Sequence, residues 1–533
     1  MKNDYTDKKD FHGLRDFYNL IKTAIKKLLE YKEENIYLGI NENILKEIGL
    51  YSLERNFSGL ELEGGITSLE MIKKIFKKIY VNCDERKEYN IIKEIYDNIK
   101  DEDSRYLLIV SKTPEKICLL NSLLKFFGYE YKINKEFSFY KGSCFIKDKN
   151  SEEYYFKIMN KIPKQLELNK ILIFSDLQQI YPSLYGLFSQ NFTCKENKKY
   201  AKIIGRYNNY FSFVNNEFKC IILMDKSELE KCEDKFLNFF EKHIISFENL
   251  LSQDFIKMAK DTYNDIYNLL KLYLNENKIE DKNILINLLI NCNEETIKGI
   301  TYYEYYEYKI IGKKLFLEDL YYIILEKIGL ILQNDIIDFL KKSNFKKDIK
   351  TMADKIIKFY QRGEHSNIVN FIEKMRNIKN VIYTYTNIEK ILLNKFPEEL
   401  KTELFGKINK NSIKEIKISS FNDENGIEIE LDNIYSDKEN NIKIIIIKFS
   451  SYETHILNYI NYYIENYIKE NNYYLNEKYK KAFIYCIHLN KDVEYDDKKF
   501  NKKNKKIPEL FEFYQIFIDN LIEEDFQIID LTK

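Results

Sequence analysis

Residues 171–188 read ILIFSDLQQIYPSLYGLF, and this stretch decides the fold of the chain around it. The apolar run 171–174 has polar flanks and predicts a strand that is covered on both faces. A helical pattern follows Pro182. A second apolar run, at 218–224 within FKCIILMD, repeats the form. Two such strands with helices between them predict an α/β domain built on a parallel sheet.

Each of these strands ends at an aspartate, Asp176 in the first case and Asp225 in the second. Ligands bind at the carboxyl edge of an open parallel sheet. A carboxylate at that edge can hold the magnesium ion of a nucleotide, so the pattern predicts the core of a nucleotide hydrolase. The alternative is that both aspartates only cap turns. The sequence leaves the two interpretations open.

A strand, a loop and a helix occupy the place where a phosphate loop would lie. The strand is predicted over 106–110, the loop SKTPEK over 111–116 and the helix over 117–127. A phosphate loop ends in Lys-Ser or Lys-Thr, and Lys112 with Thr113 resembles that pair.

The same loop lacks the glycines that let successive backbone amides surround phosphates. Pro114 removes a further amide donor. Leu177 follows Asp176, where a glutamate would be needed to polarise water, and GxxxxGK[ST] occurs nowhere in the chain. The module is therefore predicted not to hold ATP tightly.

Composition excludes several other classes of function. Lys and Arg total 84, as do Asp and Glu, so no overall basic charge predicts nucleic-acid binding. The eight cysteines form no CxxC pair, and no metal site is expected. No apolar stretch approaches the ~18 residues of a membrane span, and the chain is expected to be cytoplasmic.

The ends of the chain differ in their predicted structure. Residues 1–100 are expected to be mostly helical, and 246–410 is expected to be an all-helical lid and connector. From Ser412 the pattern predicts a second α/β unit. Its expected strands lie in IKEIKISSF, GIEIELDNIY, NIKIIIIKFSS and KAFIYCIHL, and its expected helix lies in ILNYINYYIENYIKE.

Two arginines in the first hundred residues stand close to a glycine and to aromatic residues: Arg15 in HGLRDFY and Arg55 in LERNFSG. Such a guanidinium can contact a nucleotide phosphate or a neighbouring module. The alternative is a salt-bridged helix arginine.

Several phrases together resemble one family. They are HGLRDFYNLIK, ERNFSGLE, SRYLLIVSKTPEK, GSCFIKD, ILIFSDLQQIYPSLYGLF and NFFEKH, in that order. Their order and spacing resemble the giant mysterin-type AAA+ RING-finger E3 ubiquitin ligases. The family has an arginine where Phe239 stands and an asparagine where Asp176 stands.

The resemblance implies a division of the chain into parts. Residues 1–100 would be the helical lid of a preceding, active AAA unit. Residues 101–245 would be a degenerate AAA+ α/β subdomain, 246–410 its helical lid and connector, and 411–533 a second degenerate AAA-like subdomain. The fold class is thus α/β with large helical parts, with three-layer P-loop-type modules joined by lids.

The resemblance also implies a function. The chain would be a non-catalytic AAA+ segment with an architectural role in protein ubiquitination, and ATP and magnesium would bind only in neighbouring units. Its partners would be those units and the ubiquitin machinery. The alternatives are an active NTPase with an atypical phosphate loop, and a helical scaffold unrelated to ubiquitin. Arg15 and Arg55 would be nucleotide-sensing or interface arginines that are idle in this chain, so Arg55→Ala is expected to be nearly neutral.

Overall fold

A computed structural model describes residues 14–35, 39–57, 91–112, 116–130, 136–205, 209–229, 231–276, 294–327, 353–354, 380–384, 413–436, 444–450, 456–471, 473, 482–488 and 514–517. The chain forms two compact units. The first comprises 1–142 and 150–252, and the second comprises 143–149 and 253–533.

The first unit contains five helices of ten residues or more among its described residues. They are α1 Leu14–Glu34, α2 Glu42–Phe57, α3 Ile91–Lys100, α4 Lys116–Glu130 and α5 Glu152–Leu166. Shorter helical turns lie at Tyr181–Leu184, Tyr185–Phe188, Lys226–Leu229, Asp234–Leu237 and Phe247–Leu250.

The strands of the first unit form two sheets. They are β1 Leu107–Ser111, β2 Glu136–Lys141, β3 Lys170–Ser175, β4 Phe192–Lys195, β5 Lys198–Ile204, β6 Asn209–Val214, β7 Lys219–Asp225 and β8 Glu241–Ile245. The main sheet is parallel with the order β2-β3-β7-β1-β8. The small sheet β4-β5-β6 is antiparallel.

The central strands β1, β3 and β7 are buried along almost their whole length. A parallel sheet covered on both faces needs continuous apolar strands, which explains the two runs that end at Asp176 and Asp225. Aromatic side chains complete this core, where Tyr181 stacks on Phe236 at a centroid distance of 5.3 Å. The predicted strands at 171–174 and 218–224 are confirmed.

The second unit contains a second parallel sheet. Its labelled helices are α6 Gln253–Glu276, α7 Glu294–Ile310, α8 Leu317–Lys327, α9 Glu424–Tyr435 and α10 Leu457–Glu470, with helical turns at Ile146–Lys149 and Ile418–Ser420. Its strands are β9 Asn380–Thr384, β10 Ile413–Lys417, β11 Ile444–Ser450, β12 Ala482–His488 and β13 Tyr514–Phe517, in the order β10-β11-β12-β9-β13.

The strand predicted at GIEIELDNIY is wrong, because these residues form most of helix α9. Ile427, Leu431 and Ile434 are buried at helical spacing, whereas Ile429, which the alternating pattern would also bury, is 53% exposed. Asp423 caps the helix by accepting a hydrogen bond from the Gly426 amide at 2.9 Å. The segment fits both periods, and the cap together with packing selects the helix.

Strand β9 also departs from expectation, since it lies inside the stretch 246–410 that was expected to be all-helical. It pairs in parallel with β12 on one side and β13 on the other. Pairing with these two distant strands places 380–384 in the sheet, which local periodicity does not reveal. The finer division into four domains stays a prediction.

Candidate functional site

The ends of three neighbouring strands create the candidate site at the carboxyl edge of the main sheet. Lys116 begins α4, which follows the loop after β1. Asp176 directly follows β3, and Glu228 lies in the helical turn after β7. Because β7 lies between β1 and β3, these three side chains meet although they are far apart in sequence.

Lys116 forms the centre of the site. Its Nζ lies 2.9 Å from Asp176 Oδ1 and also donates to Glu228 Oε2. Glu228 accepts further hydrogen bonds from Gln178 Nε2 at 2.6 Å and from the Asp225 amide at 2.7 Å. The Lys116 side chain is only 7% exposed, so a buried ammonium is held by two carboxylates.

The backbone at Asp176 has a tight, left-handed conformation with φ 59°, which Asp tolerates better than most residues. Gly142 approaches it closely, because a Cβ at Gly142 would lie 1.9 Å from the Asp176 carbonyl oxygen. The Gly142 amide donates to Ser175 O at 2.8 Å, and Ser175 Oγ donates to Asp176 Oδ2 at 3.0 Å. These contacts fix the aspartate in front of Lys116.

Burial and neighbouring charges of the opposite sign shift the pKa values of the site in opposite directions. Burial alone raises the pKa of Asp176, but the charges of Lys116 and Lys141 outweigh it and lower that pKa to about 2. Burial and the Asp176 carboxylate together raise the pKa of Glu228, although Lys116 opposes them. Burial disfavours the Lys116 ammonium, yet Asp176 and Glu228 raise its pKa. Lys116 and Asp176 are therefore both charged at neutral pH.

The sequence prediction located part of this site. Asp176 lies in it, whereas Lys112 is exposed and its amide donates to Ile245 O at 3.1 Å. Thr113 lies outside the described residues. Asp225 caps a turn, since its Oδ1 accepts from Ser227 Oγ at 2.7 Å and from the Glu228 amide at 2.9 Å. For Asp225 the turn-capping alternative is correct.

Sequence reasoning missed Lys116 and Glu228. Two features of the sequence could have indicated them. Lys116 is the last residue of SKTPEK and begins the following helix, and Glu228 is an acidic residue three positions after Asp225. Neither signal is specific alone, because Lys116 and Glu228 are 112 positions apart and only the strand order brings them together.

A second polar cluster surrounds β8 and contains Arg55, which is only 4% exposed. Arg55 Nε lies 3.0 Å from Glu241 Oε1, and an Arg55 terminal nitrogen lies 3.4 Å from Asp101 Oδ2. Asn98 Nδ2 donates to Glu241 Oε2 at 2.6 Å, and His243 Nε2 lies 3.1 Å from Glu241 Oε1. Arg55 thus makes the ion pairs of the salt-bridged alternative.

Helix α1 is tied to the same strand by buried charge. Asp16 Oδ1 lies 2.8 Å from an Arg105 terminal nitrogen and 2.9 Å from Lys242 Nζ. Arg15 lies over the Phe239 ring at 5.3 Å and donates to Ser189 O at 3.3 Å. The expectation that Arg55→Ala is nearly neutral assumed that the Arg55 side chain is exposed. Because that side chain is buried, the assumption does not hold. A role of either arginine toward nucleotide stays a prediction.

The residues at the sheet edge do not fit the ATP and magnesium that the resemblance implies for active units. The loop before α4 has no glycine and contains Pro114. The lysine that begins the helix is already neutralised by Asp176 and Glu228. A phosphate would have to displace two carboxylates from Lys116 without a full set of backbone amides to bind it.

The fold and this site define a class of protein: an AAA-type α/β module with a lysine at the start of the helix after β1 and an aspartate after a neighbouring strand. Residues 96–251 match the family model described as the RNF213 AAA domain. Over these residues the match confirms the resemblance of the chain to an AAA region of the mysterin-type ligases.

Three similar proteins agree with this match. The chain is 25% identical over 239 residues to E3 ubiquitin-protein ligase rnf213-beta of Danio rerio. It is 25% identical over 258 residues to E3 ubiquitin-protein ligase RNF213 of Homo sapiens and over 255 residues to the Mus musculus protein. Each match covers 45 to 46% of this chain and 4% of the relative.

Two features are absent from the described residues. No helix among them is both long and apolar enough to cross a membrane. Within the same residues, no group of three or more His, Cys, Asp or Glu side chains is arranged to hold a metal ion.

Proposed function

We propose that residues 96–251 form a non-catalytic AAA module with an architectural role in an RNF213-like E3 ubiquitin ligase. The observation that carries the proposal is the pairing of Lys116 with both Asp176 and Glu228. In a working site such a lysine binds the β- and γ-phosphates. Here its charge is satisfied by the protein, in a loop without glycine.

An inactive AAA module can still transmit force or position other parts through packed interfaces. The partners would be other AAA units, which would bind ATP and magnesium, and the ubiquitin machinery of a cytoplasmic ligase. The buried charges around Asp16, Arg55 and Glu241 support this role, because they hold α1 and α2 firmly to β8.

The second candidate function is an active NTPase with an atypical phosphate loop. The position of Lys116 at the start of a helix, beside the aspartate after β3, favours it. ATP would then replace the carboxylates on Lys116.

Thermal unfolding with and without Mg-ATP separates the two functions. A ligand at 100 times its Kd stabilises a protein by about 2.7 kcal/mol. We expect no shift of the thermal midpoint and no ATP turnover in the full chain. A midpoint shift that Lys116→Ala abolishes and that the exposed Lys112→Ala retains would overturn the proposal, and ATP turnover with the same dependence on Lys116 would favour the NTPase.

A further inference from the structure

The small sheet β4-β5-β6 has one face that the proposed function does not use. Its inner face packs into the core of the first unit through Ala201, Ile203 and Val214. The helical turn at Tyr185–Phe188 approaches it so closely that a Cβ at Gly186 would lie 2.4 Å from the Lys202 carbonyl oxygen. The sheet is thus held rigidly, with its other face turned outward.

Strand register shows which side chains share the outer face. Lys195 pairs with Lys198, Thr193 with Tyr200, Tyr200 with Phe213, and Lys202 with Phe211. Paired residues lie on the same side of a sheet, and alternate residues of one strand do so as well. The outer face therefore combines three lysines with three aromatic rings: Lys195, Lys198, Lys202, Tyr200, Phe211 and Phe213.

The aromatic rings of this face are accessible. Phe211 is 58% exposed, and the neighbouring Ile204 is 48% exposed. Tyr200 and Phe213 are partly exposed, with their ring centroids 6.0 Å apart. Several solvent-exposed aromatic side chains together on a rigid sheet indicate a binding surface.

The three lysines of this face are accessible to a ligand. Lys195, Lys198 and Lys202 are all exposed. Lys198 lies 6.0 Å from the centre of the Phe213 ring. Within 192–214 the sequence has five basic residues and a single acid, Glu196, which is in the β4–β5 turn. This local charge contrasts with the net charge of zero of the whole chain.

We propose that the outer face of β4-β5-β6 binds single-stranded nucleic acid. Lysines bind the phosphates of a single strand, while exposed rings stack on its unpaired bases, and a rigid sheet offers both without reading sequence. An acidic peptide would satisfy the lysines but has no flat base for the rings. The proposal reverses the expectation, drawn from net charge alone, that the chain has no nucleic-acid partner. It is independent of whether Lys116 binds ATP.

Fluorescence anisotropy of the full chain with labelled oligo(dT) and oligo(U) of about 12 nucleotides tests the proposal. Both should bind equally, because contacts to phosphates and to the faces of bases do not distinguish ribose from deoxyribose. Three phosphate contacts predict that log K falls with log salt with a slope of about −2 between about 50 and about 200 mM. Phe211→Ala should weaken binding about tenfold, since one stacked base is worth about that factor.

Replacement of Lys195, Lys198 and Lys202 by Gln should remove most of the salt dependence. Matched controls lie on α1, where Phe17 is 57% exposed and Lys32 is exposed, and Phe17→Ala and Lys32→Gln should bind as the unchanged chain does. All these side chains are at the surface, so unchanged thermal midpoints will show that each variant is folded.

Three results would overturn the proposal. The first is no binding of either oligonucleotide at low salt. The second is a Phe211→Ala or triple-lysine variant that binds like the controls. The third is displacement of the oligonucleotide by poly-glutamate at equal charge concentration, which would make the face a general anion site without base stacking.

Discussion

At the scale of single residues, the first unit depends on charges that are buried together rather than exposed. Arg55, Glu241, Asp16 and Lys242 are each less than 5% exposed. Breaking a buried pair by removing one partner is strongly destabilising, because the remaining charge is left without compensation. The same residue types on the surface would contribute little.

Arg55→Ala should therefore lower the free energy of unfolding by about 3–5 kcal/mol. The substitution leaves Glu241 and Asp101 facing each other without the guanidinium between them. Urea unfolding of the full chain measures the change, with the exposed Lys32→Ala as the control. A change below about 0.5 kcal/mol, typical of surface positions, would contradict the buried network.

Glu241 should make the first unit sensitive to acid. Burial raises its pKa, but Arg55, His243 and Arg105 outweigh burial and lower that pKa from 4.5 to about 2. A lowered pKa in the folded state means that the contribution is complete above pH 4.5 and is lost as pH falls toward 2. Glu241→Gln removes this contribution at neutral pH.

Urea midpoints across this pH range measure the effect. The unchanged chain should be the more stable at neutral pH, and the difference from Glu241→Gln should shrink between pH 4.5 and 2. Glu167→Gln, at an exposed position after α5, is the control. Curves for the Glu241 variant and the unchanged chain that stay parallel throughout would refute the assignment.

At the scale of secondary-structure elements, the candidate site depends on the close approach of the ends of β2 and β3. The backbone at Gly142 lies against the Asp176 carbonyl without room for a methyl group. Asp176 itself is held in the left-handed region. The two strand ends must separate if Gly142 gains a side chain.

Gly142→Ala should consequently destabilise the first unit by about 1–3 kcal/mol, as overpacking of a tight contact does. That corresponds to a fall of the thermal midpoint by about 2 to 12 °C for a unit of this size. Calorimetry measures it. Gly39→Ala, where a Cβ would meet nothing within 4 Å, is the matched control and should not lower the midpoint. Equal behaviour of the two variants would show that the approach is loose.

At the scale of the whole molecule, the seven residues 143–149 belong to the second unit although they lie between β2 and α5 of the first. Phe145 packs edge-on against Tyr459 with ring centroids 6.4 Å apart. Asp148 Oδ2 accepts from the Glu424 amide at 2.9 Å and from Ser143 Oγ at 2.7 Å. This segment therefore completes the start of α9.

Asp148→Ala should loosen α9 by about 1 kcal/mol, the usual effect of a lost helix cap. Hydrogen exchange measured by mass spectrometry should accelerate in peptides covering the first turn of α9 and stay unchanged in α5. Asp423→Ala, which removes the neighbouring cap, is a positive control. Faster exchange in α5 rather than α9 would place the segment in the first unit.

The sequence by itself determined those strands and helices whose hydrophobic periodicity fits only one type of secondary structure. The apolar runs at 171–174 and 218–224 gave strands, the position of Asp176 at the end of a strand was correct, and the order of motifs identified the RNF213-type AAA region. Hydrophobic period and strand ends are local properties, so they can be read without knowing the neighbours of a strand.

Tertiary structure decided what depends on residues far apart in the chain. Residues 426–435 fit a strand and a helix equally, and their cap and buried face selected the helix. Strand β9 was fixed by pairing with β12 and β13. The order of the strands brings Lys116 to Glu228, and the packing of α2 against β8 buries Arg55 beside Glu241. Coulomb interactions and packing act through space, whereas sequence patterns report only spacing along the chain.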